Sequence, residues 1–186
     1  MKKDCFVLVL TCFLSAGSFY AQEKISTNNV LGSDRIIQIG VVVKDIEKSS
    51  RAYAELLGID VPKWELTDPV EKSHTEYKGR PSPARAKLAF FQLGNIVIEL
   101  IEPVAGPSTW QEYLETNGEG VHHIAFEVKD IEKKIAGLKA IGIPLIQRGD
   151  YTGGCYSYLD GGPKLGVILE LLENFPETEQ EEGEKR

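Results

Sequence analysis

Two glutamates occupy the same place in two copies of one apolar pattern, Ile96-Val97-Ile98-Glu99-Leu100-Ile101-Glu102 and Val167-Ile168-Leu169-Glu170-Leu171-Leu172-Glu173, 71 positions apart. A second repeat, Val43-Lys44-Asp45-Ile46-Glu47-Lys48, recurs unchanged as Val128-Lys129-Asp130-Ile131-Glu132-Lys133, 85 positions later. Across that offset Gln38 corresponds to His123, and Gly40 to Ala125. Gln38, Glu99, His123 and Glu170 together offer three oxygens and one imidazole nitrogen. Such a set suits a divalent ion of octahedral preference (Zn, Ni, Co, Mn or Mg), with two coordination positions left for substrate or water. An ion there would act as a Lewis acid on bound substrate oxygens, and a glutamate beside it could move a proton, Glu170 being the first candidate for the base and Glu99 the opposite acid or base. A lone strand glutamate more often faces solvent, and a lone Gln or His is more often structural. The coincidence of four repeat-related positions favours the site.

The elements that must position these residues follow from the same repeats. Each copy of the six-residue motif follows an apolar run, 36–43 or 121–128, and leads into apolar residues at helical spacing: Ile46, Tyr53, Leu56 and Leu57, then Ile131, Ile135, Leu138 and Ile141. Asp45 and Asp130 stand where an N-cap belongs, and Gly58 and Gly142 where a left-handed C′ residue belongs. Each half has room for two more strands, around 63–77 and 87–93 in the first, and 145–147 and 156–159 in the second. The last pairs are joined by turns at 93–95 and 160–163. The spacing predicts an α+β fold of two βαβββ modules, about 34–104 and 120–175, joined by a helix-containing linker and paired into a cupped mixed sheet.

Strand alternation then decides which side chains line the cup. Ile37, Ile39, Val41 and Val43 should lie under the first helix, leaving Gln38 and Gly40 to the cup. In the second half His122, Ile124, Phe126 and Val128 take the helix side, and Val121, His123, Ala125 and Glu127 face inward. Glu99 goes with Val97 and Ile101, and Glu170 with Ile168 and Leu172. Glu127 is a further candidate to support His123 by alternation alone. Trp110 and Tyr113, at helical spacing, read as packing residues.

The chain has 186 residues, 21 basic and 28 acidic, for a net charge of −7. No block of Lys or Arg occurs, which argues against a nucleic-acid partner or an anionic membrane surface. Lys2 and Lys3 precede an apolar run from Phe6 to Phe19 that ends at Tyr20-Ala21-Gln22. It reads as a signal peptide over 1–21, too short for a retained anchor, so the protein is expected in the periplasm or outside the cell. Residues 22–33 read as a linker and 34–175 as the folded domain. The Glu-rich 176–186 reads as a disordered tail. Without 1–21 only Cys155 remains of the three cysteines, so no intramolecular disulfide can form.

Residues 34–174 resemble the vicinal oxygen chelate superfamily, which contains glyoxalase I, methylmalonyl-CoA epimerase, extradiol dioxygenases and antibiotic-resistance proteins. The stretch Tyr113-Leu114-Glu115-Thr116-Asn117-Gly118-Glu119-Gly120-Val121-His122-His123-Ile124-Ala125-Phe126 is similar to the epimerase pattern leading into its metal-binding histidine. Leu93-Gly94-Asn95, followed by Ile98-Glu99-Leu100-Ile101-Glu102-Pro103, resembles the first-half hairpin of the same family. Epimerases usually carry His where this chain has Gln38, whereas a Gln, Glu, His, Glu quartet resembles that of eukaryotic-type glyoxalase I. The polar stretch 67–84, with His74, Lys78 and Arg80, matches no motif and reads as a lid or substrate-contacting loop. The resemblance implies a metal-dependent isomerase or epimerase acting on a small carbonyl compound through a metal-bound enolate, and is compatible with a homodimer; the leader pattern, not the resemblance, adds the expectation that it is exported. A glyoxalase I-like lactoylglutathione lyase and a metal-free binding or sequestering protein of the same fold are the alternatives.

Overall fold

β-Branched, apolar runs of five to ten residues build the long strands, and the amphipathic segments between them build the helices. The computed structural model describes residues 29–176; the expected leader, and the expected tail beyond Pro176, lie outside the described residues. In chain order the elements are β1 (Gln38–Val42), α1 (Ile46–Leu57), β2 (Glu65–Leu66), α2 (Val70–Ser73), β3 (Glu76–Tyr77), β4 (Arg80–Pro81), β5 (Arg85–Leu93), β6 (Ile96–Ala105), α3 (Thr109–Asn117), β7 (Gly120–Glu127), α4 (Ile131–Ala140), β8 (Leu145–Tyr151), β9 (Gly154–Leu159), α5 (Gly162–Leu165) and β10 (Ile168–Asn174). Among the described residues no helix is long and apolar enough to cross a membrane.

The strands form one mixed sheet in the order β2-β5-β6-β1-β7-β10-β9-β8-β3-β4, the α+β arrangement of two paired halves that the repeats predict. β1 runs parallel to β6, and β7 parallel to β10. The two halves meet where β1 and β7 pair antiparallel. Each expected helix covers the outer face of its own half-sheet. Ile46 and Ala54 of α1 bury against Val43, Ala89, Phe91 and Leu100. Ile131, Ile135 and Leu138 of α4 bury against Phe126, Val128, Leu159, Leu169 and Leu171, each fully buried aliphatic contributing roughly 1.5–3 kcal/mol. Val30 and Leu31, in the expected linker, pack on the same cluster. Cys155 is a small buried member of it with a free thiol, pushed up to about 11 by burial. A third cluster, with Val42, Ala84, Ala86, Ile101, Trp110 and Tyr158, lies on the inner face, where α3 closes one side of the cup.

Three expectations need correction. The first-half strand placed around 63–77 is not one strand. Glu65 and Leu66 pair with β5, whereas Glu76 and Tyr77 cross to the other half and pair with Arg148 and Gln147 of β8. The polar stretch 67–84 is therefore a strap across the cup, ending in the β3–β4 hairpin. It is fastened by His74 Nδ1 to Asp150 Oδ2 at 2.8 Å and by Lys78 Nζ to Glu112 of α3 at 2.9 Å. Secondly, the turn at 160–163 leads into the single helical turn α5, with Pro163 in its first positions.

The third concerns the N-caps. Asp45 does cap α1, accepting from the Lys48 amide at 2.9 Å. Asp130 does not cap α4: its backbone is left-handed (φ 56°) and its side chain makes no cap bond. Glu173 of β10 accepts from the amides of Asp130 and Ile131 at 2.7 and 3.0 Å instead. Its repeat partner Glu102 accepts from the first amide of α1, Ile46, at 2.7 Å. A carboxylate on the closing strand thus holds the N-terminus of each helix, where free amides and the helix dipole favour negative charge. Both C-terminal glycines are as expected, Gly58 with φ 67° and Gly142 with φ 81°. Glu173→Ala is expected to cost about 1–2 kcal/mol in urea denaturation, and Asp130→Ala much less. Equal losses would return the cap to Asp130.

Candidate active site

Register explains why four distant residues meet. In one row across the sheet Phe90, Glu99, Gly40 and His123 are successive cross-strand neighbours; in the next, Gln38, Ala125, Glu170 and Tyr158 are. Each row contains one small residue, and that vacancy lets the larger side chains lean together. At Gly40 the requirement is steric, because a Cβ there would fall inside the His123 imidazole. All four expected site residues are buried: Gln38 is 8% exposed, Glu99 5%, His123 0% and Glu170 3%.

Their polar atoms form a tight group. Gln38 Nε2 donates to Glu99 Oε2 at 2.7 Å and, more weakly, to Glu170 Oε2 at 3.5 Å. His123 Nε2 lies 3.1 Å from Glu170 Oε2 and 3.5 Å from Glu99 Oε2. Neither carboxylate lies along the line of a ring N–H, so this buried nitrogen has no hydrogen-bond partner. Ligand atoms of Glu99, His123 and Glu170 all fall within 4.8 Å of one another. Two ionised carboxylates at that separation repel by roughly 3 kcal/mol at an effective dielectric constant of about 20. Burial first, then repulsion from Glu170, pushes the Glu99 carboxyl up to about 8 against the smaller opposing effects of His123 and Gln38. Burial alone would lower His123, but the negative charge of Glu170 beside it, with that of Glu99 behind, raises it. Without a cation the cluster therefore holds protons. An unpartnered imidazole nitrogen facing two carboxylate oxygens, with a carboxamide whose half-turn would present Oε1, fits a divalent ion.

Around this floor lies a cavity of about 570 Å³. Its wall includes Trp110, Tyr156 and Tyr158, with Trp110 Nε1 donating to the Tyr158 hydroxyl at 3.1 Å. Trp110, expected to pack, is a buried member of the inner cluster and also borders the cavity. Ser73 and Thr75 of the strap, with Asp150 and Tyr151 of β8, complete the wall opposite. No period in the sequence marks these residues, since the crossing of the strap is what brings them to the cup. Glu127 is not among the cluster; it is exposed and accepts from Asn174 Nδ2 at 3.0 Å. His122 was expected under the helix but touches His123 instead, Nδ1 to Nδ1 at 3.0 Å. The register shift between Gly40 and Val41 leaves His122 without a partner on β1, a β-bulge that breaks the alternation.

Residues 37–158 match the family model described as Glyoxalase/Bleomycin resistance protein/Dioxygenase superfamily. The matched span contains Gln38, Glu99 and His123 and ends before Glu170. An uncharacterized Bacillus subtilis protein, YqjC, is 27% identical over 75% of this chain and 92% of its own. The mitochondrial methylmalonyl-CoA epimerase of Bos taurus is 30% identical over 74% of this chain and 73% of its own. A solved methylmalonyl-CoA epimerase, in complex with methylmalonyl-CoA and NH4+, superposes with a TM-score of 0.55 at 25% identity, covering 76% of this chain and 98% of that one.

Two expectations follow from the geometry. Gly40→Ala should destabilise by about 1–3 kcal/mol in urea denaturation; a loss within a few tenths of a kcal/mol would show that His123 can move aside. In the metal-free protein, Glu99 keeps a proton in the folded state from its ordinary 4.5 to about 8, and His123 keeps one above its ordinary 6.5. The folded state then binds more protons than the unfolded state, so stability falls as pH rises from about 5 to about 8, by roughly 1.4 kcal/mol per pH unit per proton. Urea midpoints in chelator measure this fall, and Glu99→Gln should flatten it. An unchanged slope in that variant would contradict the assignment.

Proposed function

The chain belongs to the glyoxalase/bleomycin resistance protein/dioxygenase superfamily, and on that premise we propose that it is an exported, metal-dependent epimerase or isomerase that moves a proton beside a carbonyl, in the manner of methylmalonyl-CoA epimerase. The observation that carries this reading is the convergence of Gln38, Glu99, His123 and Glu170 on one buried point. A divalent cation held by these four would supply the Lewis acid that polarises the substrate carbonyl. Glu170 and Glu99 reach that point from β10 and β6, strands of different halves. One carboxylate takes the proton as the C–H bond breaks and its electron pair passes into the carbonyl. The other carboxylate returns a proton, and delivery to the opposite face inverts the carbon. Trp110, Tyr156 and Tyr158 keep bulk water from the intermediate.

The leader pattern in 1–21 supports export. Besides Glu99 and Glu170, the described residues lining the cavity include acidic Glu65, Asp68 and Asp150 and no Lys or Arg, which supports a compact carbonyl substrate without phosphate groups. The Gln, Glu, His, Glu donor set also supports a glyoxalase I-like lyase, which begins with the same proton removal and differs in product.

Elemental analysis of the chain from Gln22 onward, reconstituted with divalent ions, should find about one ion per chain, lost in folded His123→Ala and Glu170→Ala. The loaded protein should exchange a substrate C–H for deuterium from solvent, and Glu170→Gln should slow this by about 100-fold or more. A folded wild type that takes up no ion would leave a ligand-binding cup and end the enzymatic reading.

A further inference from the structure

Adjacent residues in a regular strand point to opposite faces, yet both imidazoles of the His122-His123 pair contact the same ring. Tyr158 lies 5.3 Å from His122 at 90° and 5.0 Å from His123 at 45°. The bulge that turns His122 inward also places it edge-on to Tyr113 of α3, 5.4 Å away at 82°. His122 is 1% exposed, so two aromatic rings and the neighbouring imidazole hold it in one orientation.

Its Nδ1 stands 3.0 Å from His123 Nδ1. Two ring nitrogens at that distance share one hydrogen, so one must donate and the other accept. His123 Nε2 faces the oxygens of Glu99 and Glu170 at 3.5 and 3.1 Å, and an imidazole that presents this nitrogen's lone pair to a cation carries its one hydrogen on Nδ1. His123 Nδ1 is then the donor and His122 Nδ1 the acceptor, and the N–H of His122 falls on Nε2, which has no hydrogen-bond partner among the described residues.

We infer that His122 is a positioning residue for His123: it accepts the His123 Nδ1–H, fixes that ring, and leaves His123 Nε2 as the atom presented to the cation between Glu99 and Glu170. The inference rests on the metal reading proposed above. Metal-ligating histidines commonly donate their second N–H to a carboxylate, a backbone carbonyl or water. Here the acceptor is a neutral imidazole. It orients His123 without adding negative charge, so His123 passes less electron density to the cation than a carboxylate-backed histidine would. The cation stays the more strongly polarising for it.

The test uses two variants that separate positioning from packing. His122→Asn loses the ring but keeps an acceptor near the place of Nδ1, whereas His122→Phe keeps a ring and has no acceptor. Zinc affinity, measured by chelator competition on the chain from Gln22 onward, should fall about 10- to 100-fold in His122→Phe and stay within a few-fold of wild type in His122→Asn. A packing role requires the reverse order, and that result would overturn the inference. Nitrogen NMR of 15N-labelled wild type should show His123 Nδ1 protonated and His122 Nδ1 bare, and a proton on His122 Nδ1 would overturn it equally. If the wild type takes up no zinc, the functional reading fails, and ring protonation decides the His122 inference by itself.

Discussion

The structure depends on the antiparallel pairing of β1 with β7. Main-chain hydrogen bonds there join two half-sheets into one, and their register sets Gly40 against His123 and Gln38 against Ala125. A slip of one residue would send Gln38 to the outer face and bring Ile39 into its place. The polar floor exists only at that register, and the outer clusters under α1 and α4 enforce it, because the aliphatic faces of β1 and β7 have nowhere else to be buried. The floor itself is unfavourable as built from protein alone. Two buried carboxylates face each other and an imidazole nitrogen has no hydrogen-bond partner. Packing elsewhere must offset that strain, a common arrangement where stability is given up for chemistry.

The two halves share their cap device but not their edges. Glu102 and Glu173 reach from closing strands to helix N-termini, tying each helix to its sheet through a side chain three residues along from the site glutamate. Lys87 Nζ neutralises Glu102 at 2.7 Å, while Glu173 binds two amides. The divergence is greatest between α1 and β5. There the first half gives up a full strand for the strap, which supplies wall residues that the second half has no equivalent of.

Much of this was legible in the sequence because repeat and alternation are local and periodic. The 85-residue offset links Gln38 to His123, the 71-residue offset links Glu99 to Glu170, and period two puts all four on the inner face. What was not legible is set by through-space competition. Nothing in Gly120 to Glu127 announces that His122 leaves the alternation; the bulge follows from the fit of β7 against β1. Asp130 has the composition of an N-cap, but Glu173, 43 residues later, takes the amides from it. Residues 67–84 have no period to read, and their partner strand lies some 70 residues downstream.

The crossing of that strap bears on how such a protein could assemble. A sheet of two similar halves joined along one seam invites exchange between chains, the first half of one copy closing on the second half of another. Here the pairing of Glu76 and Tyr77 with Arg148 and Gln147 adds a second closure at the far edge, made by the same chain. Swapping would have to undo both closures together. The cavity thus lies between two seams, β1 with β7 and β3 with β8, that one chain closes by itself.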